Sequence, residues 1–599
     1  MAYNCSKITT GVIGIAMLPL LGSCVDHDYD LSKDIDLTVT IGGGQLSVPS
    51  SSTDVLTLSQ ILDLDENSSI KVVGKDIPAG IYSHVADGDY VLMQSGDPTT
   101  SNFKVPLVEI HDLKGNTSSV MLDPFTNPGK DRIHQPVTPI INAVDLSDDD
   151  VTKELVTLDY AETSTDIDFT IGYRSEDFSG TAYIDKGFEA AFDESWSLEI
   201  VDPETRKFIE VDPVKKNLLR FTADKAITKD GPAECKIRLK SIDFSKVPEG
   251  QGLIRPGVFS LDTDVTSQGT MSISGSDLDK GSTVHLEAYV KTNVSNGILH
   301  WITGIIDPKI NVEESSFTIN SIPEFLEKPG NNLDIENPQI YLTVDNGAPA
   351  AINVSARLIA RSAGKPDVVV GIGEKYGTDP IIIRKSGKSY ICISRKGSTY
   401  LIDSPVTNVI VDDLGALIAS VPDEILFTDV DARAVQEPVT IDLNTTYSYE
   451  SEYRTFIPLA FGADFKLFYD KTEADWDEDL EKYNFNEVNI TFNAINTIPM
   501  TLTPRIKAID RNGNVIDNIT ATIEGIAAAG SLDTPVSTPL KGVIKSTAAN
   551  LRDLDGIRLE FDGVTSGEYV GINLNANQAL KFTDIRLTIV GGVTIDLND

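Results

Sequence analysis

Few residue patterns in this 599-residue chain could do chemistry. Gly371-Ile372-Gly373-Glu374-Lys375-Tyr376-Gly377 follows a run of valines, and glycines near that spacing cradle a pyrophosphate when they open a helix. The loop is one residue too long and a strand-like segment follows it, so no dinucleotide site is expected. Gly387-Lys388-Ser389 ends like a phosphate loop, but Ile382 stands where the upstream glycine belongs. A hairpin turn between residues 381–384 and 390–394 accounts for it instead. Neither HExxH nor GxSxG occurs. The six histidines, His27, His84, His111, His134, His285 and His300, are scattered without ligand spacing, so no metal is expected. With 90 acidic residues, chance carboxylate pairs are inevitable and none marks a glycosidase. No catalytic activity and no cofactor are expected.

Binding needs fewer signatures, because exposed aromatics grip sugars and proteins without a motif. Trp196, Trp301 and Trp476 are the candidates. Trp196 and Trp301 lie in apolar, strand-like surroundings and read as core. Trp476, between Asp475 and Asp477, is harder to bury and is the candidate ligand contact, with burial the alternative. Tyr447, Tyr449 and Tyr453 alternate on one face, as a core-facing strand also would.

Cysteine chemistry is concentrated at the front. Residues 11–24, GVIGIAMLPLLGSC, follow a short polar start carrying Lys7 and end in small residues before Cys24. The apolar part is about half the ~20 residues a membrane-spanning helix needs, so it reads as a removable leader. The ending Leu21-Gly22-Ser23-Cys24 resembles the lipobox of bacterial lipoproteins. That resemblance implies cleavage before Cys24, with a diacylglycerol on its thiol and an acyl group on the new amine. Several acyl chains hold a protein stably, at about 0.8 kcal/mol per buried methylene, so Cys24 would be the partner of the membrane without any spanning helix. Behind it, Asp26, Asp28, Asp30 and Asp34 form an acidic tether over residues 24–34. The tether is similar to the export signal of Bacteroidota surface lipoproteins, which implies an outer-membrane location facing the exterior. Cys5 leaves with the leader; Cys235 and Cys392 read as buried thiols, although an exported protein permits their pairing.

The body is globular in composition, 41% hydrophobic and 23% charged, and too long for one core. Its formal charge of −40 disfavours nucleic acid as a partner and keeps a surface protein soluble. Short alternating runs separated by Gly, Pro, Asp and Asn predict an all-β chain of several immunoglobulin-like β-sandwich domains in tandem, with few short helices. One helical turn or two is expected in residues 57–68.

The expected divisions are the leader (1–23), the tether (24–34), an N-terminal β domain (35–150), a sandwich (151–296), a first repeat unit (297–415) and a second (416–599). The repeat is the ungapped match of residues 340–360 with 488–508, pairing Thr343 with Thr491, Asn353 with Thr501 and Arg357 with Arg505. Ser321-Ile322-Pro323-Glu324 and Ser420-Val421-Pro422-Asp423 echo each other ahead of it, which predicts an insertion near 444–486 in the second unit. Residues 471–483 predict a short acidic helix displaying Trp476. Asp510-Arg511-Asn512-Gly513 predicts a hairpin turn, and residues 582–599 an alternating strand pair. The leader and repeated units together resemble large multidomain surface lipoproteins of the Bacteroidota. The expectation is a lipid-anchored binding or adhesion protein with an unknown protein or glycan ligand. Its alternatives are a glycan-binding accessory of polysaccharide uptake and a fimbria-like subunit.

Overall fold

The computed structural model describes residues 39–595 apart from 42–44, 54, 81, 83, 123–128, 130, 164–166, 280, 282, 293–296, 313, 320–321, 399–404, 476–482, 548–550 and 552. Cys24, the leader, the tether, Trp476 and most of the expected acidic helix lie outside the described residues. Among those described, the fold is all-β with one α-helix, Leu58–Leu62, where Gln60 Oε1 accepts from Thr57 N at 2.9 Å as a capping box. That is the shorter reading of residues 57–68. No helix among them is long and apolar enough to cross a membrane.

Three pairs of sheets face each other. A nine-stranded and an eight-stranded sheet enclose the largest core, between residues 105 and 443. The spine of the nine-stranded sheet is an antiparallel pair of 17-residue strands, Arg132–Asp148 and Val258–Ser274. Period-two alternation turns Val144, Leu146, Leu261 and Val265 inward against Phe169, Ile171 and Ile237 of the other sheet, all buried. Each such side chain contributes roughly 1.5–3 kcal/mol relative to leaving it in water. A seven-stranded and a five-stranded sheet enclose a second core, and a six-stranded and a three-stranded sheet a third.

These pairs are not in tandem, which corrects the expected division. The strands of residues 35–150 are shared out among all three: Gln45–Ser51 pairs with Ala579–Val590, Tyr90–Ser95 with Thr446–Pro458, and Arg132–Asp148 with Val258–Ser274. Val439–Asp442 leaves the second pair to extend the eight-stranded sheet of the first. The expected insertion is also corrected. Thr446–Pro458 is an interior strand of the seven-stranded sheet, between Gln339–Asn346 and the strands of residues 90–104, with Tyr449 buried in the core. Local patterning specifies strands, but the partner across a ladder is chosen by long-range packing, which no window of sequence contains.

Two expected hairpins change for the same reason. Ile381–Ile383 and Gly387–Ser394 belong to facing sheets, so the turn at Ser386 (φ 51°) carries the chain across the second core. Ala579–Val590 and Val593–Ile595 likewise join different sheets. The Asn-Gly turn forms as expected, with Gly513 at φ 74° and its N donating to Asp510 O at 2.9 Å.

The matched segments of the second and third pairs share one corner. Asn346 Nδ2 donates to Ala350 O (2.9 Å) and Arg384 O (3.0 Å), and its Oδ1 accepts from Ala348 N (2.9 Å). Asn496 Nδ2 donates to Met500 O (3.0 Å) and Ala528 O (2.9 Å), and its Oδ1 accepts from Ile498 N (2.8 Å). Pro349 and Pro499 follow at the same distance. The corners therefore set Asn346 against Asn496, two residues off the ungapped alignment, which had paired Arg357 with Arg505. An even slip keeps every side chain on its face, so hydrophobic phase alone could not reveal it.

Candidate functional site

Three segments from distant parts of the chain meet at one end of the eight-stranded sheet: Tyr160–Glu162, Trp301–Gly304 and Val439–Asp442. Alternation decides their facing. Ala161, Ile302, Val439 and Ile441 are buried, so Tyr160, Glu162, Trp301, Thr303, Thr440 and Asp442 stand on the opposite, outer side. Gly304 continues the inward set, because a Cβ there would fall 2.2 Å from the Thr157 carbonyl oxygen. The ladders place Trp301 directly between Glu162 and Asp442, and Thr303 between Tyr160 and Thr440.

The rings of Trp301 and Tyr160 are both half-buried and meet edge to face, 6.0 Å apart at 87°, a favoured aromatic geometry. Tyr160 Oη donates to Glu162 Oε1 at 3.5 Å, and the Thr303 and Thr440 hydroxyls are 2.9 Å apart. Tyr447 fixes the Asp442 backbone, its hydroxyl accepting from Asp442 N and donating to Asp442 O, each at 3.2 Å. Asp243 pairs with Tyr160 across the ladder. The Ser245 hydroxyl and the Lys246 ammonium hold its carboxyl below the usual carboxylate range. The result is two rings at a right angle, bordered by carboxylates and hydroxyls. Such a surface can hold the apolar face of a ligand while accepting hydrogen bonds from its polar edge.

Of the aromatics expected to matter, Trp196 is core as read: it is 1% exposed and stacked on Phe192, with ring centroids 5.5 Å apart. Trp301 is the correction. Its neighbour Ile302 is buried, and on a strand adjacent residues face opposite ways, so an inward Ile302 puts Trp301 outside. The alternation His300-Trp301-Ile302-Thr303, with Asp159-Tyr160-Ala161-Glu162, was the available signal.

Two histidines meet carboxylates. His111 Nδ1 contacts Asp148 Oδ2, with Glu109 3.4 Å from Nε2, and His134 Nδ1 lies 2.6 Å from Asp185 Oδ2. Among the described residues no group of three or more His, Cys, Asp or Glu could hold a metal. Cys235 and Cys392 are free and buried in separate cores, where burial pushes their thiols up to about 12 and about 11. The loop 371–377 is a strand end followed by a 3-10 turn, Glu374–Tyr376, with Tyr376 packed over Gly371. An open cleft of about 370 Å³ lies between the edge strands Trp196–Ile200 and Ile209–Val211, with Leu198 and Ile200 on its floor and Arg206 and Glu210 on its rim.

No family model matches this chain. None of the curated proteins matches it either. Among solved structures, it is similar to a protein of Parabacteroides distasonis provisionally described as secreted. That likeness has 14% identity, 49% of this chain and 90% of the other covered, and a TM-score of 0.34. Chains from structures of broad bean stain virus (10% identity, 44% and 77% covered, TM-score 0.11) and Sulfolobus turreted icosahedral virus (10%, 82% and 92%, 0.12) are more distant. At these scores the likenesses say nothing about what the chain does.

Proposed function

We propose that this chain is a lipid-anchored cell-surface binding protein, held at the outer membrane through Cys24 and facing the exterior. The observation that carries binding is the Trp301–Tyr160 pair, kept on the outer side of a sheet whose inner side is fully packed. Large aromatics left outside a core are expensive in water and characteristic of contact surfaces. The anchor rests on Leu21-Gly22-Ser23-Cys24 and the acidic residues behind it. A formal charge of −40 suits a body kept in solution by its surface and tied to the membrane by lipid alone. No reaction is assigned.

The anchor is tested by Cys24→Ser. The variant is expected to leave the membrane fraction and to lose incorporation of labelled fatty acid, while protease added to intact cells digests the wild type. Retention of the variant with the membrane at wild-type level would falsify the anchor, and protection of the wild type from protease would remove the exterior location.

A further inference from the structure

We propose that Trp301 and Tyr160 form a stacking platform for a neutral glycan. This rests on the binding reading above and names the ligand class of that site. A pyranose ring carries C–H bonds on a face and hydroxyls round its edge, so it needs an aromatic surface bordered by hydrogen-bond acceptors. Trp301 supplies the ring surface, and Tyr160, at 87° to it, makes a corner rather than a flat plate. Glu162 and Asp442 flank Trp301 on the two neighbouring strands, where carboxylate oxygens accept from sugar hydroxyls. Thr303 and Thr440 extend the polar border.

The charge at this end of the sheet selects against acidic sugars. Glu162, Asp243 and Asp442 surround the aromatic pair, and the nearby Lys246 is engaged with Asp243 at 2.9 Å. A uronate or sulfate brought there would meet carboxylates of its own sign. The exposed Lys240, next to the Ser241 that pairs with Glu162, is one cation bordering three carboxylates; Lys236 and Lys291 stand on either side of Thr170, on strands further along the same sheet. A protein ligand would be served by a broad, dry patch with an apolar centre; here one ring pair is enclosed by acceptors within three short strands.

The test is chromatography of the full-length protein, purified in detergent, on immobilised neutral glucan, neutral galactomannan and polygalacturonate. The wild type is expected to be retained by at least one neutral polysaccharide. Trp301→Ala should weaken retention at least tenfold, Trp301→Phe should recover part of it, and Tyr160→Phe should keep most of it. Equal melting temperatures for all variants establish that the sheet is intact. The proposal is overturned if neither neutral matrix retains the wild type, if Trp301→Ala binds as well as wild type, or if Trp301-dependent retention appears on polygalacturonate. Trp301-dependent capture of a protein ligand would overturn the glycan assignment and leave the surface-binding reading standing. Loss of the anchor in the Cys24 experiment would remove the location without touching the platform.

Discussion

Asp145 and Asp262 face each other across the two longest strands, with Lys114 on the other side of Asp145. Burial, then the Asp262 charge, raise the Asp145 carboxyl above its usual range. A folded-state pKa above the unfolded value means that acid favours the folded form, and that stability is lost as pH rises through the raised value. Like charges directly opposite on a sheet cost roughly 0.2–1 kcal/mol. Asp262→Asn is therefore expected to stabilise the protein by about 0.5 kcal/mol at neutral pH, with the gain vanishing once acid protonates Asp145. Urea titrations at neutral and acidic pH measure this, and a gain independent of pH would remove the electrostatic cause. Trp301 makes the complementary point at this scale: one residue's facing on one strand separates a core side chain from a ligand platform.

Corners are the elements that hold the second and third sheet pairs in shape. Asn346 and Asn496, each 0% exposed, satisfy two carbonyls and one N–H apiece. Alanine at either position would remove the partner of three backbone groups, two buried and one part-buried, at about 2–4 kcal/mol in total. The expected outcome is a similar loss for Asn346→Ala and Asn496→Ala in chemical denaturation, with Asn→Asp also destabilising because it loses both donors. A loss confined to one variant would mean that the two corners are alike only in outline. Strand character was readable in alternating runs: apolar and polar residues alternate in Asp168–Ser175, Trp196–Ile200, Ala233–Asp243 and Val284–Thr292, and all four are strands. The register between matched corners was not readable, because a two-residue slip leaves the pattern of buried and exposed positions unchanged.

At the scale of the molecule, residues 58–89 are tied to residues 573–578. Asn575 Nδ2 donates to Asp89 Oδ1 (2.8 Å) and Asp87 O (3.0 Å), and Asn573 Nδ2 donates to Asp89 Oδ2 (2.9 Å), with Asp89 and Asn575 each only 6% exposed. Nearby, Leu58 N donates to Gln578 O at 2.7 Å. Asn575→Ala removes one hydrogen bond from the buried Asp89 carboxylate and one from the part-buried Asp87 carbonyl, at about 2–3 kcal/mol. It is expected to speed limited proteolysis around residue 84 and to lower the melting temperature; unchanged cleavage there would show that the backbone bonds suffice. By itself, the sequence determined the all-β character and the absence of recognisable catalytic motifs. These are local matters of period, residue type and spacing. Tertiary structure decided that Gln45–Ser51, Tyr90–Ser95 and Thr99–Lys104 pair with strands hundreds of positions later. It also decided that the aromatic platform is assembled from residues near 160, 301 and 440. Ladder partners are selected by the packing of whole sheets, and that selection exists only once distant strands are side by side.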